Sequence, residues 1–287
     1  MATIRYKDIA IRKAGLALIE QVNAVVADYA QQGYSLTLRQ VYYQLVSRNV
    51  IPNNERSYDN LGTLISNGRL AGLIDWNAIE DRTRGVRALP HWEHPREIIQ
   101  SAAASYNIDL WQDQDYYVEV WVEKDALIGI VEQSASAYDV PCFSCRGYVS
   151  QSEMWAAAQR IIAQAGKKCV ILHLGDHDPS GIDMTRDISE RLSLFGARVR
   201  VRRIALNMAQ IEQYSPPPNP AKLTDTRAQA YIRQYGGNSW ELDALEPRTL
   251  DALIGDHIAR YVDAEKFKLT LLRQEQDRAT ILRLVNL

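Results

Sequence analysis

The stretch Val170-Ile171-Leu172-His173-Leu174-Gly175-Asp176-His177-Asp178-Pro179-Ser180-Gly181 decides the fold. A short apolar run ends in two aspartates spaced one apart, and Pro and Gly then force a turn. A short apolar run between turn signals is how a strand buried on both faces reads. In open parallel α/β sheets, ligands bind beyond the C-terminal ends of the strands, where Asp176 and Asp178 would sit. Residues i and i+2 of a strand point the same way, so both carboxylates face one point. They repel each other unless a cation sits between them, and hard divalent cations prefer oxygen ligands. The alternative is a loop with two solvated acids and a helix cap.

The flanking sequence supports the sheet. Residues 116–122 (YYVEVWV) read as a β-rich strand that ends at Glu123-Lys124-Asp125-Ala126, where a helix opens and runs to about residue 138. A strand over 140–145, a helix over 150–165, the strand over 169–174, a helix to about 196 and a strand over 199–205 follow. Strands alternating with helices predict an α/β fold with a parallel sheet. Parallel strand ends lie together, so Glu123, Asp176 and Asp178 are expected to converge. Three carboxylates there suit Mg²⁺, or Mn²⁺, with water and substrate phosphate as the remaining ligands. Glu241 and Asp243 either join this acidic patch or cap a helix start. His177 either assists or lines the turn. Residues 214–220 (YSPPPNP) break the alternation, and two helices over 247–262 and 263–285 close the chain.

Upstream, residues 8–32 carry apolar residues at helical spacing. Ser35-Leu36-Thr37 offers a cap for a second helix over 38–48, and a third helix follows over 56–71. Three short helices and an extended piece fit a helix-turn-helix or winged-helix module, and Arg56, Arg69, Arg82 and Arg84 are either its phosphate contacts or ordinary surface charge. The domains expected are 1–90, a linker and helix over 91–112, and 113–287. Trp76, Trp121 and Trp155 read most simply as core.

The chain has 287 residues, 46% apolar and 24% charged, with a net charge of −2. That composition is ordinary for a globular protein and advertises no global basic field. Any DNA binding must therefore come from local arginine placement. Three cysteines make no disulfide framework, and Cys142-x-x-Cys145 lacks the further ligands of a zinc site. With no membrane-length apolar run and no signal-peptide core near the N-terminus, the expected location is the cytoplasm, at the nucleoid.

The local wording resembles a known family. Val122-Glu123-Lys124-Asp125-Ala126 and Gly175-Asp176-His177-Asp178-Pro179-Ser180-Gly181 resemble the Toprim domain of the topoisomerase VI A subunit and its meiotic double-strand-break relatives. Arg146-Gly147-Tyr148 sits where that family carries a Lys/Arg-Gly-Tyr/Phe turn. Thr37-Leu38-Arg39-Gln40-Val41-Tyr42-Tyr43 resembles its Arg-x-x-Tyr-Tyr helix, within a winged-helix-like domain. The likeness covers roughly residues 35–260. It implies that Tyr43 is the nucleophile, with Arg39 one helical turn before it. It implies double-stranded DNA as substrate, a phosphotyrosine intermediate, and Mg²⁺ at Glu123, Asp176 and Asp178. It also implies a homodimer in which the tyrosine of one chain meets the metal of the other. The sequence contains no Gly-rich nucleotide loop, so ATP-driven strand passage would need a separate ATPase subunit. It reads as a minimal, stand-alone version of the A subunit. A Toprim nuclease using metal-bound water and a non-catalytic DNA-binding subunit are the alternatives.

Overall fold

The computed structural model describes residues 3–80, 89–164 and 166–283. The expected contacts Arg82 and Arg84 lie outside the described residues.

Helix α1 (Lys13–Gln31) buries Ile19, Val22, Val25, Val26 and Tyr29, the stripe that helical periodicity places on one face. Strand β1 (Leu36–Thr37) leads directly into α2 (Leu38–Ser47). Thr37 accepts from the Gln40 backbone while the Gln40 side chain accepts from the Thr37 backbone, so a capping box fixes where α2 begins. Helix α3 (Glu55–Leu70) starts at Asn54, whose side chain accepts from the Ser57 amide. Strand β2 (Ile79–Glu80) pairs in parallel with β1. The three helices share their own core, built on Val22, Tyr29, Val41, Leu45, Leu61 and Ile65. Helix α4 (Pro95–Ser105) follows, with proline in its first turn.

The second half alternates as expected. Strand β3 (Tyr116–Val122) is followed by a 3₁₀ turn (Asp125–Leu127) and α5 (Ile128–Ser136). Strand β4 (Cys142–Ser144), α6 (Gln151–Ile162), β5 (Lys168–Leu174), α7 (Pro179–Leu194) and β6 (Val199–Ala205) complete it. The four strands form one parallel sheet in the order β4-β3-β5-β6. It is a Rossmann-like α/β arrangement with an N-terminal helical region. From β3 the chain steps outward to β4, then returns to the other side of β3 as β5. The order therefore reverses between β3 and β5, and ligand sites of open α/β sheets form at such a switch point.

Alternation along each strand explains the two helical layers. Val118, Val120 and Val122 of β3 and Val170, Leu172 and Leu174 of β5 share one core with α5 and α10 (Pro247–Ala259). Trp121 and Ile171 point the other way, into a core with α6 and α7. That second layer also encloses Glu119, which is 1% exposed. Arg160 donates two hydrogen bonds to its carboxylate, and Tyr117 and Trp121 donate one each. A charge at that depth persists only when paired and hydrogen-bonded.

The sequence between β6 and α10 holds more structure than the proline-rich break suggested. It forms α8 (Met208–Tyr214), α9 (Ala228–Tyr235) and a short antiparallel pair, β7 (Asn219–Pro220) with β8 (Asn238–Ser239). A 3₁₀ turn (Leu242–Ala244) follows. Helix α11 (Ala264–Arg283) packs against α4. Of the three tryptophans expected in the core only Trp121 is there. Trp76 is 42% and Trp155 54% exposed. Trp155 lies on α6 beside Met154, which takes the inward position instead. None of the described helices is long and apolar enough to cross a membrane.

His173 gives this fold a pH dependence. It is fully buried, its Nδ1 lies 2.9 Å from the Thr185 hydroxyl, and its Nε2 has no hydrogen-bond partner among the described residues. Burial, reinforced by Arg203, pushes its pKa down to about 3. The unfolded chain binds a proton there below about pH 6.5 and the folded chain does not, so stability falls as pH drops through that range, by about 1.4 kcal/mol per unit. Urea unfolding of wild type should therefore lose about 2 kcal/mol more between pH ~7 and ~5 than unfolding of His173→Gln. Equal losses in the two proteins would rule out His173 as the source.

Candidate active site

The register places the first acid. Val122 pairs with Leu174, so Glu123 and Gly175 leave the sheet side by side, and the Glu123 amide donates to the Leu174 carbonyl at 2.8 Å. Glu123 Oε2 accepts the Asp176 amide at 2.9 Å. A Cβ built on Gly175 would lie 2.8 Å from Glu123 Oε2, and one built on Gly181 would lie 2.3 Å from the Asp176 carbonyl oxygen. Both glycines are therefore what lets the turn close over Glu123.

Asp176 and Asp178 do different things. Asp176 is buried. Its Oδ1 accepts the Leu242 amide at 2.8 Å and its Oδ2 lies 2.8 Å from Lys124 Nζ. Asp178 caps α7, its Oδ1 accepting the Gly181 amide at 2.6 Å and the Ser180 hydroxyl at 2.9 Å. Behind the turn, the half-buried Arg203 side chain donates to the carbonyls of Gly175, Asp176, Gly181 and Leu206. His177 is buried and enclosed by Tyr231, Tyr235 and Trp240, and its Nδ1 lies 2.7 Å from the Tyr231 hydroxyl. Burial and Arg203 push its pKa down to about 4. It lines the turn as a neutral ring. Paired backbone hydrogen bonds between His177 and Trp240 then bring residues 241–243 to the site.

Those residues complete an ionic network. Lys124 Nζ lies 2.9 Å from Asp243 Oδ2 and also bonds Glu241. Arg39, from α2, lies 2.9 Å from Glu241 and 3.3 Å from Asp243. Asp243 is 1% exposed, and its Oδ1 has no hydrogen-bond partner among the described residues. Burial works against the Lys124 ammonium, but Asp176, Asp243 and Glu241 outweigh it and hold its pKa well above the usual lysine value. Burial pushes Asp176 up to about 7 despite the pull of Lys124. Burial and the nearby Asp178 raise Glu123, against the Asp176 amide. Burial also works on Glu241, yet Lys124 and Arg39 keep its carboxyl below the ordinary range.

Tyr43 faces the same network. It is 5% exposed, its ring meeting Tyr42 edge-on at 5.1 Å. Arg39, one helical turn before it, and Asn219 line the same pocket. Burial and then Glu241 raise its pKa, against Arg39, Asn219 and Lys124, so the phenol stays protonated at neutral pH. An open pocket of about 360 Å³ reaches it, lined in part by Arg39, Asn53, Tyr58, Asn219 and Lys222.

The fold thus brings Glu123, Asp176, Asp178, Arg39 and Tyr43 to one end of the sheet, all in one chain. The resemblance instead implied a tyrosine meeting the metal of a second chain. Among the described residues, no three His, Cys, Asp or Glu side chains stand ready as metal ligands. The oxygen donors suit a hard divalent cation, and Asp243 Oδ1 keeps acceptor capacity. Lys124 is paired with all three of Asp176, Glu241 and Asp243, and Arg39 adds a second positive charge at the last two. Of the candidate DNA contacts, Arg56 is exposed at the start of α3. Arg69 is turned inward, donating to the carbonyls of Trp76 and Ile79. Sequence reasoning passed over Lys124, Arg203 and Asn219. Lys124 stood inside the quoted motif, and Glu241-x-Asp243 repeats the acid-x-acid spacing of Asp176 and Asp178. No family model matches the chain, and no curated protein matches it.

Proposed function

We propose that this chain is a Mg²⁺-dependent DNA-cleaving enzyme resembling the topoisomerase VI A subunit. On this reading the N-terminal helices are a winged-helix-like DNA-binding domain and the sheet is a Toprim domain. One observation carries the proposal. Arg39 lines the same pocket as the buried Tyr43 and forms ion pairs with Glu241 and Asp243, which sets the phenol beside the acidic sheet end.

The chemistry follows from those groups. Tyr43 gives up its proton, and Glu241, held ionised by Lys124 and Arg39, is suited to receive it. The phenolic oxygen attacks a DNA phosphorus. A phosphotyrosine ester forms on the 5′ side as the bond to the 3′-oxygen breaks, and that oxygen takes up a proton and leaves as a 3′-hydroxyl. The bond energy is retained in the ester, so religation by the 3′-hydroxyl needs no ATP. Arg39 stabilises charge on the phenolate and the phosphate. Mg²⁺ or Mn²⁺ at Glu123, Asp176 and Asp178 would neutralise charge developing on the phosphate. Arg56, with Arg82 and Arg84, is a proposed duplex contact, while Arg69 is committed to the Trp76 and Ile79 carbonyls; DNA as substrate would put the protein at the nucleoid. Two chains across a duplex would cut both strands, and strand passage would call on a separate ATPase subunit.

The full chain incubated with supercoiled plasmid and Mg²⁺, then denatured in detergent, should yield broken DNA with protein on its 5′ ends. The yield should vanish on chelation. Intact DNA with both Mg²⁺ and Mn²⁺ would reject the proposal. The burial of Tyr43 favours a second reading, in which water replaces it as nucleophile and broken DNA appears without an attached chain.

A further inference from the structure

We propose that Lys124 is the resident cation of the acidic site and that an incoming divalent cation displaces it. This rests on reading the sheet end as a divalent-cation site. Lys124 follows Glu123 directly, and its ammonium lies within 2.9 Å of both Asp176 and Asp243 while bonding Glu241 as well. Its side chain is 17% exposed and that of Asp243 is 0% exposed. Three carboxylates this close, at this burial, cannot all remain ionised without a cation among them. Lys124 supplies that charge from within the chain, so the site folds without metal.

Lys124 also has a place to go. Of its three carboxylates, only Asp176 belongs to the turn that carries the proposed ligands. Glu241 and Asp243 belong to a different segment, beyond β8, where they also hold Arg39. Giving up Asp176 leaves the ammonium two partners and frees Asp176 Oδ2 for the metal. Arg203 does not compete in this way, because its guanidinium is committed to four backbone carbonyls. Lys124 is thus a positioning residue, which sets how tightly the site takes a cation and keeps the carboxylates gathered without one.

The test is Mg²⁺ titration by calorimetry on the full chain, with no DNA present. Lys124→Met and Lys124→Gln should each bind Mg²⁺ about tenfold tighter than wild type or better, since a competing charge at contact distance is gone. Arg39→Gln removes an equal charge that touches Glu241 and Asp243 but not Asp176, and should change affinity by less than about threefold. If a Lys124 variant is too unstable to titrate, its thermal midpoint should rise more steeply with Mg²⁺ than that of wild type, because a ligand of the native state stabilises it. Unchanged or weaker binding in the Lys124 variants overturns the inference while leaving the cation site standing. So does an Arg39→Gln effect as large as theirs, which would mean diffuse charge rather than displacement. No Mg²⁺ binding by any of the proteins overturns the cation site itself, and the inference with it.

Discussion

Tyr43→Phe is expected to abolish the protein–DNA adduct and to lower Mg²⁺-dependent cleavage by on the order of 10³-fold or more, about 4 kcal/mol of barrier. The substitution removes a single oxygen. The ring keeps its edge-on contact with Tyr42 and its place in the helical core. Arg39 keeps Glu241 and Asp243, and Asn219 keeps its 2.7 Å hydrogen bond from Asn53. The fold should therefore survive, with a thermal midpoint close to wild type, and the lost activity reports on chemistry. Cleavage at the wild-type rate, with no protein on the DNA ends, would assign the attack to water.

The parts of this fold that were legible in the sequence are those whose causes are local. Strands β3 and β6 match the expected 116–122 and 199–205 because alternating β-branched and aromatic residues settle them without distant help. The start of α2 follows from Thr37 and Gln40, three residues apart. The convergence of Glu123 with Asp176 was readable because parallel strands align their ends. The network that surrounds them was not. Arg39 and Glu241 are 202 positions apart, and nothing near either residue announces the other. The region between β6 and α10 looked irregular because its elements are short. Its order comes instead from docking: Tyr231 against His177, Asn219 against Asn53, and the Leu242 amide on Asp176. Trp155 shows the converse limit, since size and hydrophobicity alone put it in the core. The helical phase of α6 gave the inward position to Met154.

The second large effect concerns which chain supplies the tyrosine. If Tyr43 serves the acids of its own chain, a purified mixed dimer of Tyr43→Phe and Asp176→Asn chains should cleave no better than either parent, a loss again on the order of 10³-fold. In such a dimer each chain lacks one half of its own site. If the tyrosine instead served the partner, one of the two sites would be whole, and about half the activity of a wild-type dimer would return. The contacts favour the first outcome. Helix α2 packs on the turn at Leu242–Ala244, and Ala244 belongs to the core of the N-terminal helices. Tyr34 donates to Asp251 of α10 at 3.0 Å, and Asn53 bonds the Pro218 carbonyl and Asn219 across the Tyr43 pocket. Separating Tyr43 from its own acidic end would break all of these along with both Arg39 ion pairs. Glu241 and Asp243 would lose Arg39 and keep only Lys124. A trans site would have to recover that from the DNA or from the dimer contact. Recovery of cleavage in the mixed dimer would show that it does, and that the pairing of Tyr43 with its own chain is a resting arrangement rather than the working one.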